Sequence, residues 1–368
     1  MRSYLLFILL YIPFQLFSQH GITQSSAHSG QFREDSSSFY FRFDNTNFFK
    51  NNEFFNDYVK GYTLIGWYAN PSLKWKVSEK TQLTGGIHLL KYLGKGKIQD
   101  VKPIFRVEQN LTDSLRLIMG NIFQNQNHSL IDPLYHNEKA LTEPVETGIQ
   151  FLMEHKIIHA DIWLNWKNFI LQNSPTQEEF EVGAQLSPKI ISGRKLSVEI
   201  PVQFLARHRG GQIDISGEPI QSVMNMALGS SLRFHPESTI LSELRAESYM
   251  AIYKDISQKK QLPYEQGAGS YSRISATLKK WEVGISYWNA KRFIPLAGNP
   301  IYSTVSRENQ HFTHSRELIT GKVQYKYDYK NATLSFDLRT YVDPIQQNLD
   351  YSFGLYLKVS PEIFITKF

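Results

Sequence analysis

Apolar and polar positions alternate along most of this chain, and Gly321–Tyr341, GKVQYKYDYKNATLSFDLRTY, shows the unit most plainly. Val323, Tyr325, Tyr327 and Tyr329 fall on one face, with Gln324, Lys326 and Asp328 on the other. After Lys330–Asn331 the alternation resumes, Leu334, Phe336 and Leu338 against Ser335, Asp337 and Arg339. A period of two sends successive side chains to opposite faces of a strand, so this stretch predicts a hairpin with one greasy and one charged surface. The same unit recurs from about residue 37 to the end: short polar turn, alternating run, longer polar loop.

Taken in order, Phe39, Phe41 and Phe43 open the first strand, and residues 46–60 read as a loop. Gly61–Val77 is a long strand interrupted at Asn70–Pro71, where a bulge is expected. Short turns are expected at Ser78–Lys80, Leu111–Asp113, Glu154–Lys156, Ser192–Arg194, His235–Ser238 and Lys279–Lys280. Between them lie longer polar connections, the largest at about Phe123–Pro144 and Lys291–Ser315. The last segment, Tyr351–Phe368, passes Ser360–Pro361 and ends EIFITKF. Short turns alternating with long loops mark a membrane barrel with short periplasmic turns and long extracellular loops. The count comes to about sixteen strands, within about 14 to 18. It should be even, because the first strand leaves the periplasm and the last returns to it. A turn at Ser360–Pro361 would change it by one.

The N-terminus sharpens this picture. Arg2 followed by the apolar run Tyr4–Ile12 and a small residue, Ser18, reads as a signal peptide over residues 1–18. Residues 19–36 are polar and read as a flexible periplasmic leader or a small plug, leaving 37–368 for the barrel. With no cysteine there is no disulfide framework, no thiolate chemistry and no lipoprotein acylation site. Aromatics make up 14% of the chain while mean hydropathy is −0.35, which suits a lipid-facing exterior around a wet interior. Trp75, Trp166, Trp281 and Tyr287 sit at strand ends, where interfacial girdles belong. A propeller would repeat a blade motif, and a soluble sandwich would need fewer, shorter strands; neither fits. The net charge of +6 is dispersed, with no module for nucleic acid, so no nucleic-acid partner is expected.

If the apolar faces meet lipid, the alternate faces line the lumen. The candidates are Arg42, Arg106, Glu108, Asp161, Asn165, Lys167, Glu181, Glu199, Arg233, Arg245, Glu247, Arg273, Lys326, Asp328, Asp337 and Arg339. The same parity adds Asp44, Arg116, Glu179, Arg207, Glu243, Glu282 and Lys358. The two signs balance, which argues against a strongly charge-selective pore and for pairing across neighbouring strands. The apolar residues of loops 123–144 and 291–315 suit either a constriction folded inward or an extracellular cap. His159 and Asp161 share a face at a spacing that permits contact, and wall pairing is the expectation for them. Arg207–Arg209 reads as a loop-edge cluster for lipid or polysaccharide phosphate. His311 and His314 form an HxxH with no evident third ligand, so no metal and no cofactor is expected.

A chain of antiparallel alternating segments closing on a terminal aromatic, Phe368 after Phe364, resembles bacterial outer-membrane proteins. The resemblance implies that Phe364 and Phe368 belong to the recognition signal for the outer-membrane insertion machinery. The Tyr/Phe/Asn/Lys-rich style, with the blocks GWYANPSLKWKVSEKTQLTGGIHLLKYLG and DPLYHNEKALTEPVETGIQFL, resembles uncharacterised Bacteroidota-type porin-like barrels. The expectation is therefore an all-β, transmembrane, antiparallel up-and-down β-barrel in the cell outer membrane, surrounded by outer-membrane lipid. It would pass small hydrophilic solutes by passive diffusion and carry no enzyme activity. The alternative is a structural or assembly barrel docking a lipoprotein or secretion partner, or forming a homo-oligomer; a barrel-embedded hydrolase ranks lower.

Overall fold

A computed structural model describes residues 37–124, 127–306 and 312–368. The signal-peptide and leader expectations, and His311, fall outside the described residues. Sixteen antiparallel strands close into one barrel. They are β1 (Ser38–Glu53), β2 (Tyr62–Lys76), β3 (Thr81–Tyr92), β4 (Asp100–Asn110), β5 (Leu115–Ile122), β6 (Glu146–His155), β7 (Ile158–Asn168) and β8 (Glu179–Ser192). Next come β9 (Leu196–Glu199 continued by Val202–Arg209), β10 (Gln221–Phe234), β11 (Leu241–Asp255), β12 (Gln266–Leu278) and β13 (Trp281–Lys291). The last three are β14 (Ser315–Tyr329), β15 (Ala332–Asp343) and β16 (Asn348–Val359 continued by Glu362–Lys367).

Closure runs through β1, which pairs with β2 on one side and with both parts of β16 on the other. Asn45 faces Val359 and Arg42 faces Glu362, so the register passes unbroken across Ser360–Pro361. The Phe43 N–H donates to the Pro361 carbonyl at 3.1 Å. Ser360–Pro361 is therefore neither turn nor bulge; the irregularity lies further on, between Phe39 and Tyr40. Asn70–Pro71 is not a bulge either. The β2–β3 register holds from Ala69 opposite Leu89 to Ser72 opposite Gly86, and only the intervening rungs are lost. Proline has no N–H to give the ladder, and that alone explains the gap.

The expected loop at 46–60 begins too early, because β1 continues to Glu53 and turns Thr46, Phe48, Lys50 and Asn52 inward as buried residues. Polar residues occupy both faces there, so hydrophobic alternation vanishes although the ladder does not. Elsewhere the alternation reads true. Leu228, Met250, Ile274, Ile285 and Leu355 stand exposed on the outer face, while their neighbours turn in.

The short turns, the start of β1 and the end of β16 share one rim, which is periplasmic by the usual asymmetry of such barrels; the long loops share the other. At the short-turn rim Phe39 stacks on Trp75 with centroids 5.3 Å apart and meets Phe368 edge-on at 5.5 Å. Phe364 packs edge-on against Tyr40 at 5.6 Å.

The lumen is occupied. Residues 127–145 and 292–306 both fold inward, and Leu130, Ile131, Leu134, Tyr135, Phe293, Leu296, Ile301 and Tyr302 join wall residues in one buried cluster. The first loop reaches across the barrel. Its Ile131 N–H donates to Gln203 Oε1 on β9 at 3.0 Å, and its Glu138 accepts from Asn52 Nδ2 on β1 at 3.0 Å. β1 and β9 are half the barrel apart. Arg339 Nη1 of β15 holds Asp132 Oδ2 at 2.7 Å. The second loop is tied to β10, β13 and β14: Asn225 Nδ2 donates to the Ile294 carbonyl, Trp288 Nε1 to the Tyr302 carbonyl, and Arg316 Nε to the Ile301 carbonyl. The two loops meet where the His136 N–H donates to the Ala297 carbonyl and the Asn299 N–H to the Asp132 carbonyl. Buried backbone groups need partners, and these loops find them in each other and in the wall.

Candidate functional site

Two of the histidines with polar partners on both ring nitrogens lie on opposite sides of the wall, His128 inside the barrel and His208 outside. Inside, His128 is fully buried on loop 123–145. Its Nε2 lies 2.8 Å from Glu146 Oε2 and its Nδ1 2.8 Å from Asp161 Oδ2. Tyr135 donates to the other oxygen of Glu146, and Gln150 Nε2 donates to Asp161 Oδ1 at 2.8 Å. The ring lies flat on Trp163, centroids 3.7 Å apart and planes 8° from parallel. Burial by itself lowers the His128 pKa, but the hydrogen bonds and charges of Asp161 and Glu146 outweigh it and raise it to about 9. An imidazolium with both nitrogens committed to carboxylates cannot accept a proton from a substrate or a serine. This group fastens the loop to the wall.

Outside, His208 and Ser222 face each other across β9 and β10. Gln203 and Leu205 are buried and Arg207 bonds the lumenal Glu181, so His208 falls on the outer face with Val202 and Phe204. On β10, Val223, Asn225 and Ala227 are buried, which places Ser222 outside with Met224 and Met226. The Ser222 N–H donates to Ser257 Oγ at 2.8 Å, and its carbonyl accepts from the Ile256 N–H, so its backbone groups serve the β11 side. His208 and Ser222 therefore form a non-hydrogen-bonded rung, the geometry that brings opposed side chains closest.

His208 Nδ1 lies 2.8 Å from Ser222 Oγ, and His208 Nε2 lies 2.8 Å from the Gly210 carbonyl oxygen. A carbonyl only accepts, so Nε2 carries the proton and Nδ1 is the lone-pair nitrogen that takes the serine hydrogen. This is the tautomer in which an imidazole serves a serine as general base, with a backbone carbonyl as the third, orienting member. The pair sits on the last rung but one before the long loop 210–220. Beside it on the outer face, Phe180 packs on His208 at 5.0 Å and Trp166 stacks on Phe180 at 5.3 Å. Below lies the apolar face from Phe204 to Ile200, so the pair stands at the upper margin of the lipid-facing band. Exposed Lys254 occupies the same face one strand over, opposite Met224 and diagonal to Ser222.

Many of the charged wall positions read from the sequence pair with opposite charges, some across neighbouring strands as expected and others two residues along the same strand. Arg42 bonds Asp44 at 2.7 Å, Arg116 meets Glu108 at 3.4 Å, and Lys167 meets Glu143 at 3.2 Å. Arg207 bonds Glu181 at 2.5 Å, Arg233 holds Glu199 at 3.1 Å, and Arg245 holds Glu247 at 2.6 Å. Arg273 pairs with Glu282, Lys326 with Asp328 at 3.3 Å, and Arg339 with Asp337 at 3.1 Å. Arg106 donates to the Asn121 carbonyl and covers the Phe123 ring at 3.8 Å, and Asn165 Oδ1 accepts from the Thr147 N–H. His159 and Asp161 do not bond each other: His159 takes Glu154 at 2.9 Å, while Asp161 serves His128. His314 packs edge-on against Tyr264 at 6.0 Å.

Sequence reasoning missed His128, Glu146 and Ser222. For His128 there was no local signal, since its partners lie on other elements. For the outer pair there was one: His208 interrupts the apolar row Val202, Phe204, Ala206, and Ser222 heads the row Met224, Met226, Leu228.

Fold and wall together define an outer-membrane β-barrel. Its architecture is similar to that of OprD from Pseudomonas aeruginosa, at 7% identity over 90% of this chain and 96% of that one, TM-score 0.51. OccAB1 from Acinetobacter baumannii aligns at 8% identity over 92% and 100%, TM-score 0.52, and in-vitro folded OmpT of Vibrio cholerae at 8% over 90% and 100%, TM-score 0.50. At such identities the likeness concerns fold alone. The chain belongs to the lipid A 3'-O-deacylase-type family, whose model matches residues 31–368. That membership overturns the expectation of a barrel without enzyme activity, because the family carries the name of an enzyme. No curated protein matches the chain in sequence.

Proposed function

We propose that this protein is an outer-membrane esterase that removes an acyl chain from a glycolipid of the outer leaflet, with Ser222 as nucleophile and His208 as base. The observation that carries this reading is the 2.8 Å contact between His208 Nδ1 and Ser222 Oγ on the outward face, at the long-loop margin of the apolar band. An acyl ester of an outer-leaflet glycolipid lies at that height, at the junction of headgroup and hydrocarbon. The family name supplies lipid A as the substrate class.

The chemistry follows from the two side chains. Ser222 Oγ attacks the ester carbonyl as His208 Nδ1 takes its proton. The tetrahedral intermediate collapses, the C–O bond to the sugar breaks, and His208 returns the proton to the departing sugar oxygen. Water then repeats the sequence on the acyl-serine, releasing a fatty acid and restoring the hydroxyl. The Gly210 carbonyl holds the imidazole in the required tautomer throughout, and Lys254 offers positive charge toward an anionic headgroup or the developing oxyanion.

The test is fatty-acid release from purified lipid A in mixed vesicles by the refolded protein and by Ser222→Ala and His208→Ala. Release by the parent, lost on the order of a thousandfold in either variant, supports the reading. Equal release by parent and Ser222→Ala overturns it.

A diffusion channel is the second reading. The ion-paired, wettable wall favours it, and the loops that bridge the lumen count against it.

A further inference from the structure

The loops flanking the outer pair, 169–178 between β7 and β8 and 210–220 between β9 and β10, are built as one unit. The Asn173 N–H donates to the Ile213 carbonyl at 2.7 Å and the Ile215 N–H to the Ser174 carbonyl at 2.9 Å, making a short parallel bridge. Gln177 Nε2 donates to the Glu218 carbonyl at 2.9 Å, and the Gly210 N–H to the Glu178 carbonyl at 2.9 Å. Asp214 closes its own turn, taking Ser216 Oγ at 2.6 Å and the Gly211 N–H at 3.1 Å. Within this well-bonded pair, Ile170 is buried.

The neighbours of Ile170 do the opposite. Phe169 and Leu171 are each 72% exposed, Ile215 is 66% exposed, and Ile213 and Ile220 are 45% exposed. Ordered loops in water present polar side chains. A loop pair that spends many hydrogen bonds holding bulky aliphatics outward presents a surface meant for an apolar medium. The medium adjoining this surface is already fixed, because Ile220 and Ser222 continue onto the outer face of β10 with Met224 and Leu228. Through Ile220 the apolar loop surface joins the barrel's lipid face beside His208 and Ser222.

We infer that these two loops form a lipid-inserting wing that lodges in the acyl chains of the outer leaflet and gathers them beside Ser222. The second half of that statement rests on the esterase reading; insertion itself does not. Of the occupants an apolar surface could take, hydrocarbon is the one contiguous with it.

The cysteine-free chain allows a direct test. Leu171→Cys and Ile215→Cys are labelled singly with an environment-sensitive NBD probe in refolded full-length protein in phosphatidylcholine vesicles. Lys97→Cys, exposed in the loop between β3 and β4, is the control. Both wing probes should show blue-shifted emission, quenching by doxyl-labelled lipids and several-fold less quenching by iodide than the control. Iodide access equal to the control overturns the proposal. Protection from iodide without doxyl quenching also overturns it, and assigns the surface to a protein contact. Separately, Leu171→Ser with Ile215→Ser should raise KM for lipid A several-fold while leaving kcat within about twofold. An unchanged KM with inserted probes overturns the gathering role and leaves insertion standing. If the parent releases no fatty acid, the fluorescence result still stands by itself.

Discussion

His128 lies flat on Trp163, 3.7 Å between centroids, and Trp163 in turn fits the space opposite Gly183 in the wall. A Cβ at Gly183 would overlap the Trp163 ring. One glycine in β8 therefore sets where the indole lies, and the indole sets where the imidazolium of an inward loop meets its two carboxylates.

That chain of contacts makes a stability prediction. His128→Ala leaves Glu146 and Asp161, on opposite sides of the ring, both buried without their shared counter-charge, which costs about 3–5 kcal/mol. The penalty should appear as proteolytic cleavage within 123–145 while the barrel keeps its β-sheet circular dichroism. Gly183→Val should produce the same cleavage by displacing Trp163.

The docking of the inward loop should depend on pH in both directions. The His128 pKa is raised to about 9, so its stabilising contribution is complete below about pH 6.5 and is lost as pH rises through about 9. Burial pushes the His136 pKa down to about 4, helped by Arg339 and Lys50 and opposed by Glu138 and Asp132. Below about pH 6.5 the free loop binds a proton that the docked loop refuses, so stability falls from there toward pH 4. Glu143 is partly desolvated, which raises its pKa, but Lys139 and Lys167 outweigh this and hold it at about 2. Its contribution is complete above about pH 4.5 and is lost as pH falls through about 2. Loop protection, followed by hydrogen exchange, should be greatest near neutrality. Protection that rises steadily to pH 10 would contradict this.

The loops across the lumen imply a silent barrel. In planar bilayers the parent should give no steady steps of open-porin size, and shortening 123–145 should produce them. Removing residues 19–36 tests whether the leader contributes. Large steady steps from the parent would return the diffusion channel to first place.

At the outer pair, conservative and disruptive changes should separate chemistry from packing. Ser222→Cys keeps a nucleophile and should retain label from an acyl-ester probe, whereas Ser222→Ala should retain none. His208→Gln should abolish labelling without altering the heat-modifiable mobility of the folded barrel, since the position faces lipid and carries no lumenal contact.

Much of this was legible in the chain. In Leu196–Phe204 or the hairpin Val323–Leu338, a side-chain period of two is itself the statement of which face meets lipid. Where both faces are polar, as at Thr46–Glu53, that signal disappears while the backbone ladder continues, and the strand was hidden. The apolar residues of 123–144 and 291–315 announced that these loops were not simply solvated. Their composition could not say whether they turn inward or cap the mouth, because that depends on partners such as Gln203, Asn225 and Arg339 on distant strands.

The sequence by itself determined the barrel, a strand number near sixteen and its location, all consequences of local alternation and of the need to satisfy every backbone group in lipid. Tertiary structure alone decided the rest. His128 meets Glu146 and Asp161 only because a loop crosses the lumen, and His208 meets Ser222 only because register sets them on one narrow rung. Contact between residues separated in sequence is a property of register and loop closure. Neither is written in the order of side chains along one strand.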